Sequence, residues 1–106
     1  MKIAVSSQGG SLNAQVAANF GRCAYFLIID SETMQFEIFT NPAEGMMGGA
    51  GPEAARQIHQ KGAEVLLTGL VGPNAEIAIR NYGIKLVQGF SGTVKEAVEK
   101  YLKESK

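Results

Sequence analysis

GPEAARQIHQKGAEVLLTG (Gly51–Gly69) and GPNAEIAIRNYGIKLVQG (Gly72–Gly89) are two passes through one pattern. Each opens on Gly-Pro, runs eleven positions to a second glycine and continues into a short apolar run. Proline suits a first helical turn, where its missing N–H would have no partner anyway. The closing glycine accepts the left-handed conformation that ends many helices. Ala54, Ala55 and Ile58 mark one helix face, and Ala75, Ala78, Ile79 and Tyr82 mark the other. The pattern therefore predicts helix 51–62, strand 63–69, helix 72–83 and strand 84–89. A third helix begins near Thr93, with Val94, Ala97, Val98, Tyr101 and Leu102 on one stripe. Glu96, three residues after Thr93, completes a capping box.

Toward the N-terminus the periodicity changes. Lys2–Ser6 is β-prone, with Ile3 and Val5 alternating, and Ser7-Gln8-Gly9-Gly10 ends it. Leu12, Val16 and Phe20 recur every four residues, which predicts a short helix closed by Gly21. Ala24–Ile29 is almost continuously apolar, the mark of a strand covered on both faces. Met34, Phe36 and Ile38 alternate with Gln35 and Glu37, so the pair reads as a hairpin whose second strand is less buried. Asn41-Pro42 stops it, and a flexible loop with Gly45, Gly48, Gly49 and Gly51 follows, carrying Met46-Met47. Right-handed crossovers place the strands beginning near Lys2, Glu64 and Ile84 in parallel, with the hairpin on one side and helices on both faces. The expected fold is α/β, three-layered, with a five-stranded mixed sheet in the order third-second-first-fourth-fifth, the ribonuclease H-like arrangement.

Length and charge narrow the function. The 106 residues fit one domain over 1–106, and 45% apolar residues supply a modest core. Ten basic residues balance ten acidic ones, so the chain offers no field for a nucleic-acid backbone or an anionic membrane. No apolar run is long enough to span a bilayer. The one cysteine, Cys23, cannot form an internal disulfide, which points to a reducing, cytoplasmic setting.

The turns after the first, fourth and fifth strands leave carboxyl ends of strands, where open α/β sheets bind ligands. That rim gathers Ser7, Gly9 and Gly10; Gly69, Gly72 and Asn74; and Gly92 and Thr93. Arg22 and Cys23 join it through the Gly21 bend, with Gly48, Gly49 and Gly51 in the loop that covers it. Helices starting at Pro73 and Thr93 would aim unpaired N–H groups at an anion there. Each residue also has a plain reading. The glycines serve backbone geometry, Cys23 is a half-buried strand residue, Asn74 a helix-start partner and His59 a solvent-exposed helix residue. Cys23 is a soft metal ligand, but a cluster held by four cysteines of one protomer is excluded; two protomers would double the count. Ser6 and Ser7 stand where a two-metal nuclease would need carboxylates. No phosphate-binding lysine loop, acid–base pair or activated nucleophile is visible, so an enzyme is not expected.

With these motifs assembled, the chain resembles the dinitrogenase iron-molybdenum cofactor biosynthesis family, which includes NifX, the cofactor-binding domain of NafY and the C-terminal domain of NifB. The resemblance covers nearly the whole sequence. It rests on Met1–Ser6, Phe20–Phe26, Asn41-Pro42, Gly48–Gly51, Leu67–Gly69, Gly72–Ala75 and Gly92–Ala97. It implies a ribonuclease H-like fold and a non-catalytic module that binds or carries an iron–sulfur or iron–molybdenum-type cofactor or precursor between metal-cofactor assembly proteins. The alternative is a metal-free small-molecule-binding or regulatory protein-interaction domain.

Overall fold

The computed structural model describes residues 1–104; Ser105 and Lys106, the end of the expected 1–106 span, lie outside the described residues. Among the described residues the elements are β1 (Lys2–Ser7), β2 (Tyr25–Asp30), β3 (Phe36–Thr40), α1 (Ala50–Gln60), β4 (Val65–Leu67), α2 (Pro73–Asn81), β5 (Lys85–Val87) and α3 (Val94–Glu104). The strands form one sheet in the order β3-β2-β1-β4-β5, as expected. β1 pairs antiparallel with β2 and parallel with β4; β2–β3 is antiparallel and β4–β5 parallel.

Strand alternation divides the core between the two faces. Ala4, Phe26, Ile28 and Leu66 point to the face covered by α1 and α2, where they meet Ala54, Ile58 and Ile79. Ile3, Val5, Leu27, Ile29, Val65 and Leu67 point to the other face, where α3 supplies Val94, Val98 and Tyr101. The result is three layers, with the β2 interior buried on both sides. β3 is an edge and less buried than β2, as expected, but the apolar positions of its alternation, Phe36 and Ile38, are themselves exposed.

The helix expected from Leu12 to Phe20 does not form. Residues 12–20 instead cross the carboxyl ends of the strands as an irregular strap. It is held by bridges of Val16 to Ser7, Gln15 to Thr93 and Asn19 to Leu70. The physical reason lies in where the apolar residues go. Val16 and Leu12 pack in the α3 layer, whereas Ala17 and Phe20 pack in the α1/α2 layer. A helix would have put residues four apart on one face. Here their burial requires the chain to pass from one layer to the other.

Candidate functional site

The strap decides how the rim is built. Ala17 N–H donates to Ser6 O at 2.9 Å, Leu70 N–H to Ala18 O at 2.7 Å and Val16 N–H to Gly92 O at 2.9 Å. It therefore seats itself over the ends of β1 and β4, where the expected site had its centre. Ser6 and Ser7 lie fully buried beneath it. Ser6 Oγ is 2.7 Å from Thr68 Oγ1, while Ser7 Oγ donates to Gly9 O at 2.6 Å and closes a tight turn. Gly69 is buried against the strap, and a Cβ on it would stand 2.4 Å from Ala18 O. Gly10 sits beside Ile38, away from the helix starts. These positions build the floor; the cavities open on either side of it.

On the α1/α2 side three small residues stack. A Cβ on Gly21 would come within 2.9 Å of the Gly51 backbone, and one on Gly51 within 2.6 Å of Ala75 Cβ. The missing side chains let the bend before β2 and the first turns of α1 and α2 meet. A cleft of about 320 Å³ lies between them, lined by Gly49–Pro52, Gly72–Ala75 and Asn19–Arg22 together with Leu70. The amides of Ala50 and Gly51 in α1, and of Asn74 and Ala75 in α2, have no hydrogen-bond acceptor among the described residues. All four residues line the cleft, so two positive helix ends share one space. Arg22 is the single charged lining residue. Its guanidinium donates to the carbonyls of Met46 and Glu44, tying the 45–49 loop to the cleft. Gly49 is the left-handed N-cap of α1, at φ 72°; Gly72 is extended, with open space where a side chain would go. Gly48 is exposed, outside the lining.

Cys23 lies next door, in the wall of a cavity of about 290 Å³ shared with Arg22 and Glu44. It is 3% exposed. Burial pushes its thiol up to about 12, against the opposing effect of hydrogen bonds from the Ser7 backbone and Asn41. At neutral pH it is a thiol rather than a thiolate, a poor metal ligand as it stands. Among the described residues no group of three or more His, Cys, Asp or Glu side chains is placed to hold a metal ion. His59 is exposed and stacks on Tyr82, with ring centroids 4.3 Å apart.

On the α3 side the strap separates Gly92 and Thr93 from the cleft. Gly92 lines another cavity, of about 340 Å³, with Glu96 and Lys100, and Thr93 lines neither. The capping box forms as expected: Thr93 N–H donates to Glu96 Oε1 at 2.9 Å, and Glu96 N–H to Thr93 Oγ1 at 3.1 Å. Val94 N–H donates to Ala14 O and Lys95 N–H to Leu12 O, both at 2.9 Å, so every first-turn amide of α3 is already used. The expected rim is divided between two cavities, and only the α1/α2 one collects unpaired donors around a cation.

Sequence reasoning missed two contributors. Asn41, read as a strand stop, is buried, and its Nδ2 donates to Gly21 O at 3.1 Å and Cys23 O at 3.0 Å. It holds the bend that carries Arg22. A lone asparagine before proline gives no sign of a partner twenty residues away. Asn19 enters the cleft through its bridge to Leu70, a 62% exposed residue of the Gly69–Asn74 turn, and only the strap creates that bridge.

The model of a family described as dinitrogenase iron-molybdenum cofactor matches residues 1–104. Among solved structures, the apo form of the orange protein from Desulfovibrio gigas is 41% identical, with a TM-score of 0.94 over 97% of this chain and 88% of that one. A NifB-type protein from Thermotoga, solved by NMR, is 31% identical at a TM-score of 0.83, over 96% and 87% of the two chains. An uncharacterized protein of Methanocaldococcus jannaschii is 27% identical over 93 residues, 85% of this chain and 79% of that protein.

Proposed function

This chain belongs to the dinitrogenase iron-molybdenum cofactor family, and from that premise we propose that the cleft between α1 and α2 carries an anionic metal–sulfur cofactor or its precursor. The observation that carries the reading is the meeting of four unpaired amides and Arg22 in a cleft lined by no acidic residue. Amide donors and a guanidinium suit sulfide or oxygen ligands of an anionic cluster. The donor set does not suit a cluster bonded to protein side chains, because Cys23 is buried and protonated. The cargo therefore keeps its own ligands and is held by hydrogen bonds, charge and contact. Leu70 and Met46, exposed at the mouth, offer a soft apolar wall to sulfur, and the 45–49 loop tied to Arg22 acts as the cover. No general acid–base pair lines the cleft, so the role is to hold and hand over, in the cytoplasm, between cofactor-assembly proteins.

Anaerobic purification with elemental analysis, followed by titration with a preformed iron–sulfur cluster, tests this. The expected result is visible absorption at one cluster per protein and a raised melting temperature. Gly72→Trp, which fills the open space at the cleft, abolishes both, while Cys23→Ser keeps them. A folded Cys23→Ser protein that no longer binds would overturn the non-covalent reading. The metal-free alternative uses the same donors for an organic anion, favoured by the lack of a ligand cluster among the described residues. Stabilisation by phosphorylated metabolites, with none by clusters, would favour it instead.

A further inference from the structure

We infer that β3 is a self-association edge, through which a second copy of this chain extends the sheet by a two-fold, antiparallel β3–β3 pairing centred on Ile38. Three independent observations converge on this register.

The first is the direction of the backbone groups. Asp30 N–H donates to Gln35 O at 2.9 Å and Asn41 N–H to Ala24 O at 3.0 Å, which fixes the hydrogen-bonded phase of the β2–β3 ladder. Residues 35, 37, 39 and 41 face β2, so the N–H and C=O groups of Phe36, Ile38 and Thr40 face outward. A two-fold at Ile38 sets Ile38 opposite itself and Phe36 opposite Thr40 of the second copy. Every outward donor of the strand then meets an outward acceptor.

The second is the side-chain pattern. Phe36 and Ile38 are 37% and 46% exposed on one face of this edge. Paired across the two-fold, the Ile38 side chains cover each other and Phe36 lies beside Thr40. The opposite edge shows how a closed one looks: β5 has three residues and carries exposed Lys85. β3 has five, and Pro42 limits its extension.

The third is charge. The same register sets Glu37 opposite Phe39 of the second copy, and the Lys61 ammonium sits 4.0 Å from the centre of the Phe39 ring. Each Glu37 carboxylate thus approaches the partner ammonium, twice by symmetry. An unrelated strand would satisfy the backbone, but this charge pairing requires a second copy of the same face. The interface lies apart from the cleft and leaves Cys23 unshared.

Analytical ultracentrifugation over a range of protein concentrations tests the pairing. The expected result is a reversible monomer–dimer equilibrium that Ile38→Lys reduces to monomer, with an unchanged circular dichroism spectrum. Glu37→Lys weakens the dimer roughly tenfold, two symmetric pairs each contributing a few-fold. Adding Lys61→Glu in the same chain restores it. A chain that stays monomeric at millimolar concentration overturns the inference. So does a dimer indifferent to Ile38→Lys, or one that the double exchange fails to recover. Should Ile38→Lys misfold, the exchange at residues 37 and 61 still decides.

Discussion

The two halves of the carboxyl rim use glycine for opposite purposes. On the α1/α2 side, Gly21, Gly51 and, beneath the strap, Gly69 are places where other atoms occupy the room a side chain would need. On the α3 side, Gly89 and Gly92 adopt φ of 88° and 86°, and Gly89 has nothing within 4 Å of its would-be Cβ. The first kind draws segments together until two helix starts share a cleft. The second only turns the chain, leaving a cavity whose helix start is capped from within. A glycine-rich rim is therefore not one site by virtue of its composition. What makes a site is close approach, and what makes a turn is φ.

Substitution should separate the two kinds. Gly69→Ala is expected to be the most damaging, since the new methyl would meet a backbone oxygen at 2.4 Å and the strap would have to lift. Overpacking against a backbone that cannot yield should cost about 3 kcal/mol in urea unfolding. Gly51→Ala presses on Ala75 Cβ, so it should cost about 2 kcal/mol and also weaken cluster binding by opening the cleft. Gly89→Ala strains only its own left-handed backbone, so about 1 kcal/mol is expected, with binding unchanged. A binding loss there equal to that of Gly51→Ala would break the comparison.

Smaller effects sharpen it. Thr93→Ala removes the cap of α3 and should cost about 1 kcal/mol without touching binding. It should also change the acid limb of the stability curve. The Thr93 N–H and then its hydroxyl hold the Glu96 carboxyl below its ordinary value. A lowered folded-state pKa gives stability that is whole above the ordinary carboxylate range and fades as pH falls through the lowered value. Melting temperatures across acidic pH should show that fade in the parent chain and a shallower one in the variant. Gly72→Ala should move stability least, within about 0.5 kcal/mol, because its φ of −77° and open surroundings accept a methyl.

The strands and helices of the sheet were legible because each signal was local, whereas their order came from the preferred arrangement of a parallel core beside a hairpin. Gly-Pro and a later glycine bracket α1 and α2, and the apolar run 24–29 against the alternation 34–39 separates the buried strand from the edge. The strap was not legible. Leu12, Val16 and Phe20 have helical spacing, and nothing nearby records that they serve different layers of the core. Since the strap divides the rim, the candidate site inherited the same blindness. Gly72, Asn74, Gly92 and Thr93 were placed on the rim by two helix starts that could be read, Arg22 by the Gly21 bend, and Gly49 and Gly51 by the covering loop; that the strap parts Gly92 and Thr93 from the others could not be read. Asn41 depends on pairing across the bend, which no spacing encodes.

Cys23 gives the molecule a built-in clock. The thiol is covered by packing around the bend that Asn41 fastens, and its protonated form is slow to react. A thiol reagent can therefore mark it only while that region is briefly open, so the rate of marking counts openings. Oxidants face the same gate, which should spare this lone thiol in air. A cargo that clamps the cleft beside it should slow the clock without ever touching the sulfur.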